Sequence, residues 1–343
     1  MFNLKSALRT HLAKAIGYSS ARNEFNEKAE IFLDANENPY DSGFNRYPDP
    51  LASQLCQALA KEHDVASNQI AVANGSDEWI DLLFRLFVEP ASQSVLQLEP
   101  TYGMYQVSAA LNNVNCLSLP LNKHFDIDLK SSLAIIEEQN ISLIFLCSPN
   151  NPTGNNLNPQ SIESLLNNSQ ALVVVDEAYI HYSDQPSWTK RLNEFPNLII
   201  LQTFSKAIGL AGLRIGLLFA SPQLIAIFHK FKAPYNVNVF SQEIATRTLS
   251  EVKWRQQCEE SKTERALLAE NLGQLDFVVK VYPSQANFIL CIFKDATAVF
   301  KHLKQQGIIV RNRQKDVPQA LRLSIGTPQQ NKTLLKILAQ YED

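Results

Sequence analysis

The sequence predicts an α/β protein with a largely parallel sheet, followed by a second, smaller α+β lobe. Three observations carry this. The aliphatic runs ISLIFLC (141–147), ALVVVD (171–176) and NLIILQ (197–202) are apolar at nearly every position, as strands buried on both faces are. PQSIESLLNN (159–168), between the first two, has the spacing of an amphipathic helix and supplies a crossover. After Ala233 the pattern loosens into a long helical stretch around 240–273, short strands in NFILCIF, GIIVRN and ALRLSIG, and helices at 295–306 and 328–341. Strands and helices mixed at that shorter spacing suit an α+β lobe.

Each aliphatic run ends abruptly in polar residues: SPNNPTG (148–154), DEAY (176–179) and TFSKAIGLAGLRIG (203–216). In open α/β sheets ligands bind beyond the carboxyl ends of the strands, so these three segments are the place to look for chemistry. The expected division is an N-terminal arm (1–40) joining the small lobe, a large domain (41–232) and a small domain (233–343), with KAPYN (232–236) near the crossing point.

Composition removes several function classes. At 343 residues, 45% hydrophobic and 19% charged, with a net charge of −3, the chain offers neither a basic footprint for nucleic acid nor a cationic face for an acidic membrane. No run approaches the roughly 18 apolar residues of a membrane span. Five cysteines, odd in number and without a CxxC pair, argue for a reducing compartment and against a disulfide framework or zinc site. Six histidines include no HxxxH or HExxH, so no metal is expected. No GxGxxG follows a strand, which disfavours a Rossmann dehydrogenase. Lys5, Arg9, Lys14 and Arg22 precede the first acidic residue, Glu24, but the stretch lacks the apolar core of a secretory signal.

Lys206 is delivered by a buried strand into glycines, alanines and leucines. Lost hydration lowers the pKa of an amine and leaves it nucleophilic toward an aldehyde; a lysine snorkelling from a core edge is the plainer alternative. Asp176 ends a strand where a lone carboxylate is expensive unless a positive group meets it. The protonated ring nitrogen of pyridoxal phosphate (PLP) is such a group, and a helix cap or turn is the alternative. Tyr179 and Asn151 suit the same cofactor's ring oxygen, or a packing aromatic and a plain loop. NGSDEWIDLLFRLF (74–87) has helical apolar spacing behind Gly75, Ser76 and Asp77. That is either an anion site on free N–H groups or an ordinary cap by Ser76. Ser205 and Arg214 flank Lys206 and can complete an anion cradle, with Gly209 and Gly212 letting the backbone turn closely. Tyr102, in PTYGMY (100–105), is a candidate to stack on a cofactor ring.

In this order SPNNPTG, DEAY, TFSKAIGLAGLRIG and PTYGMY resemble the signature set of PLP-dependent aminotransferases of fold type I, most closely the histidinol-phosphate aminotransferase family. GYSSAR (17–22), LDANENPY (33–40), NRYPDP (45–50), NGSDE (74–78), KAPYN and LRLSIG (321–326) extend the likeness from about residue 17 to the C-terminus. The resemblance implies a seven-stranded, mostly parallel sheet between helices. It makes Lys206 the Schiff-base lysine and proton shuttle, pairs Asp176 with the pyridinium, and puts Asn151 and Tyr179 on the ring oxygen. Tyr102 would stack on the ring, with Gly75, Ser76, Asp77, Ser205 and Arg214 around the phosphate. Tyr47 would reach the other subunit's cofactor in a homodimer, while Tyr18, Asn151 and Arg322 would contact substrate. The implied reaction interconverts histidinol phosphate plus 2-oxoglutarate with imidazole-acetol phosphate plus glutamate. An aromatic amino-acid aminotransferase or a threonine-phosphate decarboxylase shares the fold and stays open, and a PLP-binding regulator is disfavoured by the lack of a DNA-binding segment. With GYSSAR so near the start, little chain is left for a presequence, and a cytoplasmic enzyme is expected.

Overall fold

A computed structural model describes residues 2–17 and 31–341 of the chain. Seven strands form the large sheet: β1 (Ile70–Asn74), β2 (Ser94–Glu99), β3 (Asn115–Pro120), β4 (Ile141–Cys147), β5 (Leu172–Asp176), β6 (Leu198–Thr203) and β7 (Ile215–Phe219). Their order is β1-β7-β6-β5-β4-β2-β3. Only β7 runs against its neighbours. Because β7 is antiparallel to both β1 and β6, β1 points the same way as β4, β5 and β6. The carboxyl ends of these four strands and the start of β7 therefore share one edge.

The aliphatic runs are strands because both of their faces are covered. Neighbouring residues of a strand point to opposite faces, and β5 divides accordingly. Val173 and Val175 join one apolar cluster, Leu172 and Val174 the other. In β6, Leu198 and Ile200 go one way, Ile199 and Leu201 the other. Each such side chain contributes roughly 1.5–3 kcal/mol on burial, and helices close both faces. The segment 159–168 is a helix, Pro159–Asn168, started by Asn158, whose side chain accepts from the N–H groups of Gln160 and Ser161. The helix Ser76–Phe87 buries Trp79, Leu83, Phe84 and Phe87. Its first turn rests on β7 because Gly216 has no Cβ; one there would overlap the backbone of Gly75 and Ser76.

A second sheet, order β10-β11-β9-β8, is antiparallel throughout: β8 (Val278–Val281), β9 (Phe288–Phe293), β10 (Arg311–Asn312) and β11 (Ala320–Ser324). Of GIIVRN, only Arg311–Asn312 pairs as strand. The stretch around 240–273 is two helices, Val239–Leu249 and Lys253–Leu272. The longer one spans the two units: Trp254 near its start belongs to a large-sheet cluster, Leu268 and Leu272 to the small-sheet cluster. Val237, Ala245 and Leu249 also pack on the large sheet. At the N-terminal end Phe2, Leu4, Leu8 and Leu12 lie against the large sheet's other cluster. No helix among the described residues is long and apolar enough to cross a membrane.

Candidate active site

The shared edge of β1, β4, β5, β6 and β7 opens on a cavity of about 180 Å3 lined by Ser76, Asp77, Tyr102, Asn151, Asp176, Tyr179, Ser205, Lys206 and Arg214, among others. The fold thus gathers residues spread over 139 positions, from 76 to 214, into one small space. Gly75 stands directly behind Arg214, and Arg322 reaches the site through Asn151. Tyr47 is 50% exposed, is stacked on Tyr235 at 4.5 Å, and is not in this wall. Tyr18 lies outside the described residues.

Asp176 is the last residue of β5 and is 2% exposed. Burial pushes its carboxyl above the usual range, against the hydroxyl of Tyr105 and the N–H of Ala178, which favour the charged form. Tyr105 Oη donates to Oδ2 at 2.7 Å, and the Ala178 N–H donates to Oδ1 at 3.1 Å. Among the described residues no salt bridge partners this carboxyl, so the site presents a buried acid without a cationic partner to the cavity. The Lys206 amine is held below its ordinary range, first by lost hydration and next by the positive charge of Arg322. Its Nζ stands 5.8 Å from the centre of the Tyr179 ring. By accessible surface Lys206 is exposed; solvent reaches it through the cavity mouth, which leaves the amine room to meet a ligand.

The anion cradle is assembled at the start of the helix Ser76–Phe87. Gly75 is the N-cap with φ +79°, and no side chain caps the helix. Ser76 is therefore the first helical residue and not the cap; it lines the cavity, and the helix start is open to an anion. A Cβ on Gly75 would sit 2.5 Å from Arg214 Nη2, so glycine is what lets the guanidinium close over the turn. Arg214 Nη2 lies 3.6 Å from Asp77 Oδ2, and Nη1 donates to Ser205 Oγ at 3.5 Å. The Asp77 carboxylate is engaged by Arg214 and by the Tyr102 hydroxyl at 3.0 Å. Asp77 thus offers an anion its backbone N–H, not its side chain.

Asn151, also in the cavity wall, donates from Nδ2 to Tyr179 Oη at 3.4 Å, while its Oδ1 accepts from Arg322 Nη1. Burial raises the Tyr179 hydroxyl, and Arg322 works against that rise. Arg322 lies over the Phe288 ring at 5.0 Å, and its Nε is buried without a hydrogen-bond partner. A buried, unanswered donor on a guanidinium is expensive. An anionic ligand would relieve it.

PLP carries a phosphate, a ring nitrogen that can be protonated, a ring oxygen and an aldehyde. The residues present fit each of them: the open helix start with Arg214, the unneutralised Asp176, the Asn151–Tyr179 pair and the amine of Lys206. A family model described as aminotransferase class I and II matches residues 19–338. The chain belongs to the class I and II aminotransferases. A curated histidinol-phosphate aminotransferase of Parabacteroides distasonis is 46% identical over 341 residues, covering 98% of this chain and 99% of its own. Among solved structures, a histidinol-phosphate aminotransferase of Sinorhizobium meliloti in complex with pyridoxal-5'-phosphate is 25% identical. It matches with a TM-score of 0.75 over 86% of this chain and 83% of its own. An L-threonine-O-3-phosphate decarboxylase of Porphyromonas gingivalis is 26% identical, with a TM-score of 0.72 over 86% and 90%. The protein is thus a fold type I aminotransferase that uses PLP. Nothing in the sequence of this aminotransferase marks Tyr105 or Gly216 as part of the site. Tyr105 stands in the quoted PTYGMY motif, but its partner Asp176 is 71 residues away.

Proposed function

We propose that the protein transfers the amino group of histidinol phosphate to 2-oxoglutarate, giving imidazole-acetol phosphate and glutamate. The observation that carries this reading is the second cationic site. Arg322, half-buried with an unanswered Nε, is joined through Asn151 to the same cavity that holds the cradle at Gly75 and Arg214. One anion site serves the cofactor's phosphate, and the other is left for an anionic substrate. The near full-length likeness to the P. distasonis enzyme supports histidinol phosphate as that substrate.

When bound, PLP supplies an aldehyde for amine exchange and a ring that takes up the electron pair released at the substrate carbon. Lys206 carries the reaction on the protein's side. Its amine, whose neutral form is favoured by burial and Arg322, would hold the cofactor's aldehyde in the resting enzyme and would move the proton at the substrate carbon. Asp176 keeps the ring nitrogen protonated, Asn151 and Tyr179 hydrogen-bond the ring oxygen, and Tyr102 covers the ring. Ser76, Ser205, Arg214 and the N–H groups following Gly75 hold the phosphate. Arg322 anchors the substrate phosphate, and the glutamate carboxylate in the reverse half. We assign Tyr18 to the substrate as well.

The functional unit is proposed to be a homodimer, in which Tyr47 reaches the partner's cofactor phosphate. Supporting this, Tyr47 is exposed and outside its own cavity, and Tyr40, Phe44 and Phe240 are exposed aromatic side chains as well. A cytoplasmic enzyme is supported by five free cysteines. The likeness to the P. gingivalis enzyme supports one second reading, decarboxylation of a phosphorylated amino acid. A substrate panel tests both. With 2-oxoglutarate present, histidinol phosphate should yield glutamate far faster than phenylalanine does, and threonine phosphate should release no CO2. Rapid CO2 release, or phenylalanine as the preferred donor, overturns the proposal.

A further inference from the structure

Tyr105 has no part in the chemistry above, yet it makes the shortest side-chain contact to Asp176. Its ring is fully buried on the helix Met104–Leu111, stacked on Phe145 at 4.5 Å and 13°, with the Tyr102 ring edge-on at 5.7 Å. Packing alone would be served equally by phenylalanine. A hydroxyl in such a place is costly unless it is answered, and its answer is Asp176 Oδ2 at 2.7 Å. With the Ala178 N–H on Oδ1, both carboxylate oxygens are held from behind, and the carboxylate keeps further lone pairs for the cavity.

We propose that Tyr105 is a positioning residue: its hydroxyl fixes Asp176, favours its charged form and keeps it aimed into the cavity before the cofactor arrives. Charged and titratable groups face Asp176 from every element around it. The helix Ser76–Phe87 contributes Asp77, β4 contributes Cys147, the turn after β6 contributes Lys206, and Glu177 and Tyr179 follow it in the chain. Asp77 disfavours the charged form, and Lys206 favours it less strongly than Tyr105 does. Without the hydroxyl, burial would dominate, and the carboxyl would hold its proton to higher pH. A cofactor whose ring nitrogen seeks a negative partner would then meet an acid more readily protonated and held only through Oδ1. This inference rests on the reading that Asp176 faces the ring nitrogen.

The experiment uses Tyr105→Phe, which keeps the ring and its stacking. In cofactor-free protein the Asp176 carboxyl is titrated by infrared difference spectroscopy, its band assigned by its loss in Asp176→Asn. PLP affinity is measured by equilibrium dialysis. The expected results are an upward move of the Asp176 titration and roughly 10- to 100-fold weaker PLP binding, the scale of a hydrogen bond to a charged group. Phe145→Leu, which loosens the stacking but keeps the hydroxyl, should leave the Asp176 titration in place. An unchanged titration in folded Tyr105→Phe, or an equal move in Phe145→Leu, overturns the inference. If Asp176→Asn binds PLP as wild type does, the underlying reading of Asp176 fails instead. Should Tyr105→Phe not fold, 3-fluorotyrosine at this position, a stronger donor, must lower the Asp176 titration, and no movement there also overturns the inference.

Discussion

Replacing Arg322 with alanine tests the substrate site. The guanidinium is half-buried in β11, donates one N–H to Asn151 Oδ1, lies 5.0 Å over Phe288 and leaves Nε unanswered. Burial already holds its pKa below the ordinary arginine value, so folding gains little from it, and its loss should cost little global stability. Binding is another matter. A bound phosphate or carboxylate would be the partner that the fork lacks, and truncating one side of a buried charge pair costs about 2–5 kcal/mol. At about 1.4 kcal/mol per decade, that is roughly a 30- to 4,000-fold loss in kcat/KM. Each half-reaction is followed separately by single-turnover absorbance, with histidinol phosphate and then with glutamate. Both should fall together, and because Arg322 also bonds Asn151 and acts on the Lys206 amine, the pH dependence of the resting enzyme's visible spectrum should shift as well. Arg322→Lys should recover little, since an ammonium cannot bridge Asn151 and an anion as a planar fork does. If only the glutamate half falls, the substrate phosphate is held elsewhere, and Tyr18 becomes the next residue to replace.

Lys206→Ala should abolish amino-group transfer in a folded protein, with some PLP retained through the cradle at Gly75 and Arg214. Circular dichroism and turnover assays decide this, and near-wild-type turnover would refute it. Mixing inactive Lys206→Ala chains with impaired Tyr47→Ala chains should restore activity, because a mixed dimer has one undamaged site. No recovery under demonstrated subunit exchange would put Tyr47 outside the partner's site. Burial holds His181 neutral, at about 4 against an ordinary 6.5. The unfolded chain therefore binds the extra proton between those values, and this contribution to stability, full above 6.5, is lost as pH falls toward about 4. Urea midpoints between pH 7 and 4.5 should drop less in His181→Gln than in wild type, and parallel drops would exclude the role.

Much of the site is legible in the chain because polar residues end apolar strands. Asn151, Asp176 and Lys206 each follow a run whose burial forces it into the sheet, so their convergence on one edge follows from parallel pairing alone. Gly75 and Ser76 needed more. Their arrival at that edge depends on β7 running backwards between β1 and β6, and IGLLF as a sequence carries no mark of its direction. The identity of the cap was open too: serine is the commoner cap, and only the backbone at Gly75, φ +79°, decides for glycine. Tyr105 was invisible for a different reason. An aromatic on the apolar face of a helix reads as core, and core it is, except for one hydroxyl whose partner lies two strands and 71 residues away. In the small lobe, GIIVRN has the composition of a full strand, yet only two of its residues find a partner in β11; strand composition does not fix edge pairing.

The most direct test of the central claim is chemical trapping. Purified protein loaded with PLP is reduced with borohydride, digested and mapped by mass spectrometry. The account predicts one modified lysine, Lys206, in the peptide TFSKAIGLAGLR, and loss of the label when histidinol phosphate is added before the reductant. A label on another lysine, or none, would contradict it.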